Sequence, residues 1–135
     1  MLSIIVCGGR AFHDRVFVFQ TLDTILLAYR EVAVIHGGAP GADTLADRWA
    51  HAANVNPPKG CTCAMPLKVP ADWTAHGNRA GPIRNAKMLG ILLARRAPGH
   101  KIGVVAFPGG SGTRHMSEIA FRAGVKVLEP RRTEG

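Results

Sequence analysis

Residues 102–113 read Ile-Gly-Val-Val-Ala-Phe-Pro-Gly-Gly-Ser-Gly-Thr, an apolar run that stops at a proline and three closely spaced glycines. The run predicts a strand over Ile102–Phe107, ended by Pro108-Gly109-Gly110-Ser111-Gly112. A helix over Thr113–Ala123 follows, and Gly124 stands where a C-cap glycine would. The same strand–glycine–helix unit occurs twice more. Leu2–Cys7 meets Gly8-Gly9-Arg10, and Asp14 is placed to N-cap a helix to about Tyr29, with the apolar stripe Val18, Leu22, Ile25, Leu26, Tyr29 at 3.6-residue spacing. Val32–His36 meets Gly37-Gly38-Ala39-Pro40-Gly41, with a helix from Ala42 to about Ala53. Beyond the loop Asn54–Gly60 lie a weaker third strand, Thr62–Val69, and an irregular polar segment, Pro70–Gly81. A helix from Pro82 to about Arg95, the turn Pro98-Gly99 and a fifth strand, Val125–Leu128, complete the order. Alternating strands and helices predict an α/β fold with a mostly parallel sheet of about five strands and helices on both faces. Strands that are apolar without alternation fit that burial.

The rest of the chain bounds the answer. Its 135 residues make one domain, expected over 1–129, with a polar tail at 130–135 that is expected to fray. A hydrophobic content of 47% suffices for a core and excludes wholesale disorder. No apolar stretch approaches the ~20 residues of a membrane span. Met1–Val6 lacks the basic start of a secretion signal, so the expected location is the cytoplasm and no membrane partner is expected. Seventeen Lys and Arg against nine Asp and Glu give +8, which favours anionic partners such as nucleotides or nucleic acid. The basic residues are scattered, whereas a nucleic-acid arm is usually a run. Three cysteines do not suggest a disulfide framework, and Cys61-Thr-Cys63 lacks a second ligand pair, so no metal and no other cofactor is expected.

In an open parallel sheet the ligand lies outside the carboxyl ends of the strands. Four connections fall there. Gly8, Gly9 and Arg10 form the first. In the second, Gly37 and Gly38 precede Asp43, which can accept from a ribose hydroxyl or cap its own helix. His36 reads as structural. The third, Pro70–Asn85, carries Asp72, Trp73, Arg84 and Asn85. Trp73 can stack on a base or plug the core, and Arg84 can grip a phosphate or be a solvated helix arginine. In the fourth, Gly109, Gly110 and Gly112 let the backbone approach a ligand, with Ser111 and Thr113 as hydroxyl donors. The next helix would offer free N–H groups and a positive dipole end to an anion. Thr113 as the N-cap of a plain turn is the alternative. The pattern is neither a Walker A loop nor GxGxxG, which disfavours ATP hydrolysis and hydride transfer.

Taken together, Gly8-Gly-Arg10, His36-Gly-Gly-Ala-x-Gly-Ala-Asp43, Pro70-Ala-Asp-Trp73, Ala80-Gly-Pro-Ile-Arg-Asn85 with Met88, and Phe107-Pro-Gly-Gly-x-Gly-Thr113 resemble the YspA-like, cpYpsA-related branch of the SLOG superfamily over about residues 2–128. The resemblance implies a Rossmann-like three-layer sandwich that binds nucleotides or nucleotide-derived ligands, and a homo-oligomer. That branch occurs in bacteria and their phages. Related groups are the LOG phosphoribohydrolases, often called lysine-decarboxylase-like, and the DprA DNA-processing proteins.

The phosphoribohydrolases carry Arg-Lys-x-x-Met and Pro-Gly-Gly-x-Gly-Thr-x-x-Glu. This chain keeps Arg84 and Met88 but has Asn85 for the lysine, and it keeps Pro108–Thr113 but has Met116 for the glutamate. A thioether can neither stabilise an oxocarbenium ion nor activate water. Glu118 lies roughly 200° further round an ideal helix. Arg84, Asp43, Asp72 and His115 are the candidate catalytic groups if the ligand is turned over. The expectation is therefore a nucleotide sensor or binding module, in which backbone amides of the second and fourth bends jointly hold a sugar-phosphate. The alternatives are N-glycosidic hydrolysis of a nucleoside 5′-monophosphate and a DprA-like nucleic-acid role.

Overall fold

The computed structural model describes residues 1–132; the last three residues of the expected tail, 133–135, lie outside the described residues. The elements are β1 (Leu2–Cys7), α1 (Arg15–Tyr29), β2 (Glu31–His36), α2 (Ala42–Val55), β3 (Thr62–Cys63), β4 (Leu67–Lys68), α3 (Trp73–His76), a 3-10 turn (Gly77–Arg79), α4 (Ala80–Ala94), β5 (Lys101–Ala106), α5 (Ser111–Arg122) and β6 (Val127–Leu128). All strand pairs are parallel, in the order β3-β2-β1-β5-β6, with β4 also on β2. Among the described residues no helix is long and apolar enough to cross a membrane.

The pleat of β1 sorts the core into two halves. Leu2, Ile4 and Val6 point to a cluster with Val18, Leu22 and Leu26 of α1 and Leu45, Ala46, Trp49 and Ala50 of α2. Ile5 and Cys7 point the other way, to Met88 and Leu92 of α4 and Met116 and Ala120 of α5. This is the Rossmann-like three-layer sandwich, with α1 and α2 on one face and α4 and α5 on the other. Asp14 caps α1 as its sequence position predicts, accepting from Phe17 N at 3.2 Å.

Four boundaries differ from the sequence reading. The run Thr62–Val69 is two short strands, because Pro66 has no N–H to give to the ladder. The segment Pro70–Gly81 is not irregular: Asp72 accepts from Ala75 N at 3.0 Å and caps α3, which passes through the 3-10 turn into α4. Pro82 then falls third in α4, inside the first turn, where its missing N–H costs nothing. Finally, α5 begins at Ser111 with Gly110 as N-cap, so Thr113 is inside the helix and does not cap it.

Candidate functional site

The four expected connections share one edge, and the first is clamped between the second and fourth by backbone contacts. Gly9 N donates to the carbonyl of Pro108 at 2.8 Å, and Gly9 O accepts from Ala42 N at 3.3 Å. Gly41, at φ +85°, brings its Cα so close to Gly9 O that a Cβ would overlap it, and a Cβ on Gly109 would overlap Thr113 Oγ1. Only glycine fits such approaches. Beneath this clamp Phe107 stacks on Phe12 at 5.8 Å and meets Phe17 edge-on at 5.7 Å, contacts of about 0.5–1.5 kcal/mol each beyond their buried area.

The second bend is closed by the protein's own groups. Asp43 Oδ2 accepts from Gly37 N at 3.0 Å and Ala39 N at 3.2 Å. Gly38 N donates to His36 Nδ1 at 3.0 Å, and His36 Nε2, which therefore carries the proton, donates to Asp47 Oδ1 at 2.8 Å. Asp43 thus reaches back to the bend and does not cap α2, whose N-cap is Gly41. Burial raises the Asp43 pKa above the ordinary carboxylate value, opposed in part by the Ala39 amide and by Arg84. Burial, with the Asp43 charge adding to it, also pushes the Cys7 thiol up to about 12, so Cys7 is an inert core residue.

From α4, Arg84 and Asn85 join the second bend to the fourth. Arg84 Nη1 donates to Gly37 O at 2.8 Å and Nε donates to Asn85 Oδ1 at 3.1 Å. The asparagine amide is thereby oriented, and its Nδ2 donates to Gly112 O and to His115 Nδ1, both at 3.1 Å. Arg84 is half-buried and bonded at two of its three nitrogens, so it is not a solvated helix arginine.

The fourth bend is the open one. Gly110 caps α5 with no side-chain hydrogen bond, and nothing lies within 4 Å of the Cβ positions of Gly110 and Gly112. The first N–H groups of an α-helix have no partner within the helix, and no side chain caps them here; Ser111 is exposed and Thr113 half-buried. Met116 is fully buried among the apolar side chains between α4 and α5, so the position of the hydrolases' glutamate faces the core. Glu118 is exposed on another face of the helix.

The third connection arches over the first. Trp73 is 50% exposed and belongs to neither core cluster, which removes the plug alternative. The space beside Gly81 is bounded by the indole edge, and the Arg10 guanidinium lies 5.9 Å from the ring centroid. Asp72 is committed to capping α3.

The expected residues are therefore brought to one edge, but in different states. The amides of the second bend are engaged internally, and those at the start of α5 have no side-chain cap. Sequence reasoning missed Lys68, whose side-chain carbons cover Gly38. Its signal was a cation at the carboxyl end of a strand. It also missed the tail: Arg131 flanks the fourth bend, and Arg132 Nε pairs with Asp14 Oδ2 at 2.5 Å. No sequence signal joined residues so far apart.

Comparison with known proteins agrees with this architecture. The family model described as "YspA, cpYpsA-related SLOG family" matches residues 2–76. The "Gene 61 protein" of Mycobacterium phage D29 is 36% identical over 131 residues, covering 95% of this chain and 95% of that protein.

Proposed function

The chain belongs to the YspA, cpYpsA-related SLOG family, and from that premise we propose that it binds a nucleotide or nucleotide-derived ligand at the carboxyl edge of its sheet, as a sensor or binding module. The observation that carries this reading is the first turn of α5. It is uncapped, open beside Gly110 and Gly112, and tied through Asn85 to the Arg84 guanidinium. The phosphate sits against the N–H groups of Gly110–Thr113, where the helix dipole favours an anion. Arg84 turns its remaining N–H groups to the same phosphate, and Trp73 with Arg10 receives the base. Gly8, Gly9, Gly37, Gly38 and Asp43 serve as the frame that fixes these groups, with no ligand contact of their own. The hydrolase alternative loses its key group, since residue 116 is an interior methionine.

The test is calorimetric titration with a panel of nucleoside phosphates, with chromatography for released base. Gly110→Asp places a carboxylate in open space, so the fold stays intact while binding falls at least tenfold. Unchanged affinity in that variant sinks the assignment. Release of free base that Arg84→Ala abolishes would instead make the protein a hydrolase.

A further inference from the structure

We propose that the carboxyl-terminal segment builds a second anion subsite beyond the α5 turn, so that the ligand carries more than one phosphate. This rests on the reading above and specifies its ligand class. A cavity of about 290 Å³ lies on the flank of the fourth bend away from β1, lined by Gly110, Thr113, Arg114, Ser117, Glu129 and Arg131 among others. A second cavity, of about 410 Å³, is lined by Phe17, Gln20, Thr21, Thr24, Arg131 and Arg132. Arg131 lines both, so its side chain stands between a cavity at the start of α5 and one on the flank of α1.

The residue after Arg131, Arg132, pairs with Asp14 at the N-cap of α1. Among the described residues neither Arg114 nor Arg131 has an ion-pair partner. Glu129 is the one acid lining the first cavity, and no acid lines the second. Two guanidinium groups against one carboxylate leave the concave surface positive, and a concave low-dielectric wall concentrates that field. The planar fork of arginine matches phosphate oxygens two at a time. In this proposal the first phosphate takes the α5 amides and Arg131 is left for the next. A second phosphate further along the ligand reaches it, whether that phosphate belongs to a polyphosphate chain or to the next phosphodiester of a short oligonucleotide.

The experiment titrates the full chain with three ligands of the same nucleoside: the 5′-monophosphate, the 5′-triphosphate and a 5′-phosphorylated dinucleotide. Wild type, Arg131→Ala and Arg114→Ala are compared. We expect at least one of the two longer ligands to bind about tenfold or more tightly than the monophosphate. Arg131→Ala removes that gain and leaves the monophosphate affinity unchanged. The slope of log affinity against log salt for the longer ligand falls by about 0.7–0.9 with the lost contact. A gain for the triphosphate identifies a polyphosphate, and a gain for the dinucleotide identifies a phosphodiester. Equal affinity for all three ligands, or equal weakening of all three by Arg131→Ala, overturns the subsite and leaves the α5 cradle standing. Absence of binding by every ligand overturns the cradle reading, and the subsite with it.

Discussion

Asn85 donates from Nδ2 to His115 Nδ1 at 3.1 Å, and this bond determines which imidazole nitrogen carries the proton. The amide cannot turn over, because its oxygen accepts from Arg84 Nε. His115 is therefore an Nε2–H tautomer, a donor at its free end and not a ready base. In the related hydrolases a lysine stands where Asn85 does; here the same position has become the joint between an arginine, a histidine and the start of α5.

Replacing Asn85 with alanine leaves Gly112 O and Arg84 Nε without their partner. Unfolding stability should fall by about 1–3 kcal/mol, the range for a buried polar group losing its partner. Packing loss alone would do part of this. The distinguishing readout is nitrogen NMR of the His115 ring, which should show one tautomer in wild type and a mixture in Asn85→Ala.

Met116→Glu restores the hydrolase motif in sequence but puts a carboxylate among Met88, Leu92 and Ala120. An unpaired buried charge costs about 3–5 kcal/mol. The variant should melt well below wild type at neutral pH and recover in part under acid, as the carboxyl is protonated. Base release from any nucleoside monophosphate should stay absent. A stable Met116→Glu protein with new hydrolytic activity would show that residue 116 can reach the ligand.

Asp43 sets a pH dependence whose sign follows from its raised pKa. The folded state binds this proton more tightly than the unfolded chain, so the contribution to stability is complete below the ordinary carboxylate range. It is lost as pH rises through the elevated value. Denaturant unfolding from about pH 3 to pH 7 should show wild type holding its largest margin over Asp43→Asn at the acid end. A margin that grows toward neutral pH would mean that the amides of Gly37 and Ala39 outweigh burial.

Trp73→Ala removes a half-exposed ring that the core does not use. Its melting temperature should stay within a degree or two of wild type. Nucleotide affinity should drop by about 1–3 kcal/mol, the range for one stacked base. A large fall in melting temperature with unchanged affinity would return the ring to a structural role.

The fold was legible because its signals are local. Apolar runs meet glycine bends three times, and those bends mark the ends of the strands and the parallel sheet. What escaped depends on partners distant in the chain. Asp43 does not cap its own helix, because its carboxylate accepts from the amides of the bend that precedes that helix. Asp72, expected at the ligand edge, also caps α3. Gly110 starts α5 using the backbone alone, which no side-chain pattern announces. The ion pair of Arg132 with Asp14 joins residues far apart in the chain, which no local pattern announces.

The outermost strands, β3 and β4 on one side and β6 on the other, are each two residues long and pair on their inner sides in parallel. Rims this brief expose too few backbone donors and acceptors for a neighbouring molecule to zip onto the sheet.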